Sequence, residues 1–191
     1  MYSAIASTHL NDTGGERVRN GALETVDDRP AVRLERRLPY PVERVWRAVS
    51  EPGELAQWFV APVEWTPATG ETFTSMEQAG EVTEVDPPNV LAWTWGGEAF
   101  RFELRPDGEG CVLVFTHVFD DRDQAANYAS GWDVHFARLE AHLAGAPLSE
   151  EQYLEPLVEL TDFYSERFGI DPEIGRRAIA QYHPELITDR Q

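Results

Sequence analysis

Residues 99–119 read Ala99-Phe100-Arg101-Phe102-Glu103-Leu104-Arg105-Pro106-Asp107-Gly108-Glu109-Gly110-Cys111-Val112-Leu113-Val114-Phe115-Thr116-His117-Val118-Phe119. Phe100, Phe102 and Leu104 alternate with Arg101, Glu103 and Arg105, the period of a strand with one wet face. Asp107-Gly108 is a turn signal. From Cys111 onward the chain is apolar on both faces. That strand should be central in its sheet, or covered by a second pair of helices. Phe115, His117 and Phe119 share one of its faces.

Three more strands are expected before this pair: Thr72 to Met76, Glu81 to Val85 and Val90 to Trp95. Turn signals at Gln78-Ala79-Gly80, Asp86-Pro87-Pro88-Asn89 and Gly96-Gly97 separate them. Such close spacing favours consecutive antiparallel hairpins. After them, a long helix is expected from about Asp123 to Ala144. Asp120, Asp121 and Asp123 suit its positive N-terminal end. Tyr128, Trp132, Phe136, Leu139 and Leu143 form an apolar stripe at spacings of three and four. Gly145 and Pro147 end it.

Before the meander, Ala22 to Val26 leads into the turn-like cluster Asp27-Asp28-Arg29-Pro30. Val32, Leu34, Arg36 and Leu38 then alternate with charged residues, with Arg36 the exception on the apolar side. Pro41 suits the first turn of a helix bearing Val42, Val45, Trp46 and Val49. Glu51-Pro52-Gly53 breaks it. A short second helix is expected to carry Leu55, Trp58 and Phe59. Beyond Gly145 the pattern changes. Leu157, Leu160, Tyr164 and Phe168 suit a helix ended by Gly169. Asp171-Pro172 starts another, with Ile174, Ala178 and Tyr182 on one face. The expected organisation is an N-terminal arm over 1–21, a central domain over 22–146 and a helical extension over 147–191. The extension has three readings: docked helices, a lid or homodimer contact over a cavity mouth, or a segment ordered by a partner.

The chain of 191 residues carries 16 basic and 34 acidic side chains, for a net charge of −18, and every basic residue is arginine. That balance opposes a nucleic-acid groove or an anionic membrane surface. No leader-like segment and no long apolar run are apparent, so a cytoplasmic protein without membrane insertion is expected. The single cysteine, Cys111, supports neither an internal disulfide nor a cysteine metal cluster. No phosphate-binding loop, dinucleotide fingerprint, nucleophile elbow or zincin motif is present. The histidines show no close metal-ligand spacing, so no metal and no cofactor are expected.

The order of strand, two short helices, five-strand meander and long helix resembles the START-like (SRPBCC) superfamily. Arg37-Leu38-Pro39-Tyr40-Pro41-Val42-Glu43-Arg44-Val45-Trp46 resembles its passage from strand to helix. Glu51-Pro52 through Leu55 to Trp58-Phe59 resembles the second-helix signature. Gly80-Glu81-Val82 through Val85, Pro87-Pro88 and Leu91 to Trp95 resembles the central stretch. Gly131-Trp132 through Leu139 and Leu143 resembles the terminal-helix signature. Together these look like the branch of the activator of Hsp-90 ATPase homologues, over about residues 22–145.

The resemblance implies an α+β helix-grip fold, with a curved antiparallel sheet wrapped around a long C-terminal helix. It also implies an apolar cavity for a small hydrophobic or amphipathic ligand. Residues 1–21 are too short for the chaperone-engaging region of the eukaryotic activator. Candidate cavity residues are Trp58, Phe73, Trp93, Trp95, Phe102, Phe115, His117, Trp132, His135 and Phe136. His117, His135 and Glu81 are the groups that chemistry would need. Their convergence separates a binding protein from a cofactor-free cyclase, dehydratase or hydrolase. The third alternative is a protein whose tail or acidic surface docks a chaperone or other partner.

Overall fold

The computed structural model describes residues 20–188. The expected arm falls outside the described residues except for Asn20 and Gly21. Strands β1 (Ala22–Val26), β2 (Arg29–Leu38), β3 (Thr72–Ser75), β4 (Gln78–Asp86), β5 (Val90–Trp95), β6 (Glu98–Asp107) and β7 (Gly110–Val118) form one antiparallel sheet. Its order is β1-β2-β7-β6-β5-β4-β3, so β7 is central, as its two apolar faces require. The inner face is built of rungs. One runs Val32, His117, Phe100, Trp93, Val82, and the next Leu34, Phe115, Phe102, Leu91, Val85.

Two hairpins differ from expectation. Ala22–Val26 is a strand, joined to β2 through Asp27 and Asp28 at φ 49° and 63°. The β3–β4 turn falls at Met76 and Glu77, at φ 47° and 64°, instead of at Gln78-Ala79-Gly80. Both are two-residue turns with both residues at positive φ, the conformation that matches the right-handed twist of hairpin strands, made here without glycine. Gly80 misled because its purpose lies elsewhere. The Phe73 ring crosses it so closely that a Cβ there would sit 2.3 Å from the ring.

Helix α1 (Val42–Ser50) buries Val42, Val45, Ala48 and Val49. The next helix, α2 (Pro52–Leu55), is shorter than expected, and Trp58 and Phe59 lie beyond it. Residues 56–71 form no strand, yet Ala61, Val63 and Trp65 are buried while Val60, Pro62 and Glu64 are exposed. Indole N–H groups tie this segment down. Trp58 donates to the Ala48 carbonyl at 2.8 Å and Trp65 to that of Ser50 at 2.9 Å.

A single 3-10 turn (Arg122–Gln124), capped by the Asp121 carboxylate, opens helix α3 (Ala125–Leu143). Trp132, Phe136, Leu139 and Leu143 face the sheet and are buried. The opposite side of α3 is covered too. After α4 (Glu150–Leu154), helix α5 (Leu157–Phe168) packs against it, followed by α6 (Pro172–Tyr182) and α7 (Glu185–Thr188). Leu160, Tyr164 and Phe168 belong to the same core as the sheet, so the extension is docked. In α6 the buried positions are Gly175 and Ile179, whereas Tyr182 is exposed and does not join the apolar face.

One polar cluster joins these layers. Arg36 pairs with Asp133 of α3 and, at 3.5 Å, with Glu140. Tyr164 donates to the second Asp133 oxygen at 2.5 Å and accepts the Gly21 N–H at 3.1 Å. Tyr164→Phe strands buried polar groups on two elements. A loss of about 1–3 kcal/mol is expected in urea unfolding. Glu77→Gly should raise stability by about 0.5–1 kcal/mol, because it relieves a left-handed residue with a side chain. The urea midpoint reads both.

Candidate functional site

The sheet register decides which polar groups enter the grip. Counting back from Leu104 and Phe102, Glu98 falls on the inner face at the start of β6. His117 enters on β7 opposite Phe100, and their rings stack with centroids 4.3 Å apart. From above, α3 brings Tyr128 and Trp132, one turn apart. His117 is 2% exposed and Glu98 30%.

These four side chains form one chain of hydrogen bonds. Trp132 Nε1 donates to His117 Nδ1 at 3.1 Å. An indole can only donate, so Nδ1 carries the lone pair and the hydrogen sits on Nε2. Nε2 lies 2.8 Å from a Glu98 oxygen and donates to it. The Tyr128 hydroxyl donates to the other Glu98 oxygen at 2.7 Å. Burial pushes His117 below its usual pKa, against the upward pull of Glu98. Burial alone would raise Glu98, but the His117 and Tyr128 hydrogen bonds outweigh it and hold the carboxyl below its usual range. The arrangement is a neutral imidazole on an ionised carboxylate.

Beside this chain lies a pocket of about 190 Å³ between the sheet and α3. Trp95, Phe100, Tyr128 and Trp132 supply ring walls, and half-exposed Val60 stands at the rim. Gly131 of α3 also faces it, and a Cβ placed there meets nothing within 4 Å. His135 lies one turn further on. Its Nδ1 is 3.2 Å from the Trp58 carbonyl and 3.3 Å from an Arg138 nitrogen. Burial, then the Arg138 charge, push its pKa down to about 4.

Of the ten candidate residues, Trp95, His117, Trp132 and His135 meet at this pocket. Trp58, Trp93, Phe102, Phe115 and Phe136 do not reach it. They fill the grip beneath, for example with Trp58 and Phe136 stacked at 6.2 Å. Phe73 packs on Trp65 near the sheet edge. Among the described residues these rings pack on one another, and the pocket lies at one end of them. Glu81 is exposed on β4. It borders an open depression of about 530 Å³ whose polar walls are threonines and Glu81 itself. That hollow is larger, but it gathers no buried polar group. Among the described residues no three potential ligands converge on a metal. Glu98 and Gly131 were not among the candidates. The alternation of β6, carried back two residues from Phe100, points to Glu98. Nothing in the sequence marks Gly131 as a gap.

Both pocket imidazoles are held neutral, so unfolding takes up protons below the ordinary histidine pKa of 6.5. Stability is full above that pH and is lost as pH falls toward about 4. The urea midpoint should drop between pH 6.5 and 5, and His135→Gln should flatten that slope. An equally steep slope in the variant removes His135 from this account.

The family model described as activator of Hsp90 ATPase homolog 1-like protein matches residues 39–144. Comparison with curated proteins finds no match. Among solved structures, CalU16 from Micromonospora echinospora superposes with a TM-score of 0.64 at 21% identity, covering 78% of this chain and 95% of that one. A Bordetella parapertussis protein encoded by BPP1335 gives 0.60 at 29% identity, covering 78% and 91%. DynU16, of the dynemicin biosynthetic locus, gives 0.54 at 26% identity, covering 61% of this chain and 48% of its own. The matched model spans more than half of the sequence. The chain belongs to the activator of Hsp90 ATPase homolog 1-like family, on the START-like helix-grip fold.

Proposed function

We propose that this protein binds a small hydrophobic or amphipathic molecule in the pocket between the β5–β7 end of the sheet and α3. The observation that carries this reading is a ring-walled pocket of about 190 Å³ with an ionised carboxylate at one end. Pockets for drug-sized ligands run to ~300–1,000 Å³. This one suits a molecule of one or two rings.

Binding is favoured over catalysis by the state of His117. Both ring nitrogens are committed to the protein, so it has no lone pair to offer a substrate as general base. The net charge of −18 argues against nucleic acid as the partner. Within this reading the protein works in the cytoplasm. A lone buried cysteine, with its thiol pushed up to about 11 by burial, fits that setting. Kinship in fold with DynU16 fits a role near small-molecule chemistry.

Gly131→Leu supplies the test. The new side chain enters open space in the pocket, and replacing a mid-helix glycine should gain up to ~1 kcal/mol. In a thermal-shift screen of one- and two-ring aromatics, hits should raise the Tm of the parent and leave the variant unmoved. Hits that shift both proteins equally, or an absence of hits, overturn the assignment.

A further inference from the structure

Which chemical class the pocket accepts follows from a census of its hydrogen-bonding groups, and this inference rests on the binding role proposed above. At the Glu98 end of the pocket four side chains carry donors. Trp95 Nε1 donates to the Ser75 carbonyl at 3.0 Å. Trp132 Nε1 donates to His117, and His117 Nε2 and the Tyr128 hydroxyl both donate to Glu98. Each of these donors is therefore committed.

Acceptor capacity remains. A carboxylate offers about four lone-pair positions, and these two bonds occupy one on each Glu98 oxygen. The Tyr128 oxygen can also accept. The nearby cation, Arg29, acts on Glu98 by its charge and directs two of its hydrogens elsewhere. Its Nε meets Asp120 at 2.8 Å and its Nη2 the Gly97 carbonyl at 3.0 Å. At Glu98 a ligand oxygen or carboxylate would meet lone pairs and negative charge, while Asn127 on the same wall already gives an amide hydrogen to Gln124 at 2.9 Å. A hydroxyl or amine would complete the coordination of Glu98.

We infer that the pocket selects a one- or two-ring aromatic molecule that presents a hydrogen-bond donor, a phenol or an amine, and rejects the corresponding ethers and carboxylates. The rings stack among Trp95, Phe100 and Trp132, and the donor reaches Glu98. The polar specificity comes from that one carboxylate. His117, Tyr128 and Trp132 act as positioning residues: they hold the carboxylate ionised and consume the donors that would otherwise welcome an acceptor.

The experiment is an NMR titration of the tryptophan indole N–H signals with 2-naphthol, 2-methoxynaphthalene and 2-naphthoate, on the parent protein, Glu98→Gln and Gly131→Leu. These ligands share a ring system and differ in donor and charge. A hydrogen bond to a charged group corresponds to about tenfold or more in affinity. 2-Naphthol should therefore bind the parent at least about tenfold more tightly than the ether, and the carboxylate should not bind. Glu98→Gln should bring naphthol down toward the ether. Should that variant not fold, the comparison of three ligands on the parent protein decides alone. Ether or carboxylate binding as tightly as naphthol, in a manner blocked by Gly131→Leu, overturns the donor rule and leaves the pocket standing. No binding by any of the three, or binding that Gly131→Leu does not block, overturns the pocket and the rule with it.

Discussion

The contact between Arg36 and Asp133 is the joint on which the architecture turns. Arg36 is the one charged residue on the inner face of β2, in register with Leu113 of the central strand. Left alone it would be a desolvated cation beneath a helix. Asp133 answers it from α3, Glu140 adds a second carboxylate, and Tyr164 of the extension grips the far Asp133 oxygen. Breaking a buried pair from one side costs about 3–5 kcal/mol, because the other charge is left uncompensated. The pair therefore fixes register more than it adds net stability. It sets where α3 lies over the sheet, and hence that Trp132 reaches His117 and Tyr128 reaches Glu98.

Those two reaches convert a packing problem into chemistry. A donor-only indole on one nitrogen and an acceptor-only carboxylate on the other leave His117 a single tautomer. The imidazole is in turn stacked on Phe100 and edged by Tyr128. A histidine on the inner face of a START-like sheet invites a catalytic interpretation. Its surroundings make it a spacer that carries polarity from α3 to Glu98.

Much of the fold was legible because period and punctuation agree. The β6 alternation, the doubly apolar β7, the α3 stripe and the glycine turns at Gly96-Gly97 and Gly108 all appear where the pattern puts them. The failures have physical causes. Gly80 looks like a turn residue and is a strand residue, because its missing side chain makes room for Phe73. The Met76-Glu77 turn carries no glycine to announce it. Trp65 belongs to a segment whose burial alternates as in a strand but which is held by indole hydrogen bonds instead of strand pairing, so the alternation alone does not show how it is fixed. The site was legible only as a face. Sequence offers Trp58, Trp93, Phe102, Phe115 and Phe136 alongside His117 as candidates for one cavity. Which rings pack solid and which border a void depends on how residues from five elements interlock.

Helix α3 is clamped from both sides, by the sheet below and by α5 behind. A grip helix with a bare back can rise and let its cavity swell around guests of many sizes. Here that motion would have to pull Tyr164 and the Arg36 pair apart together. On the binding role proposed above, a guest would meet a mould that reorganises little, and discrimination by shape should be steep. Such a guest would enter by the exposed rim at Val60, so the loop after α2, and not the helix that names the fold, would govern its exchange.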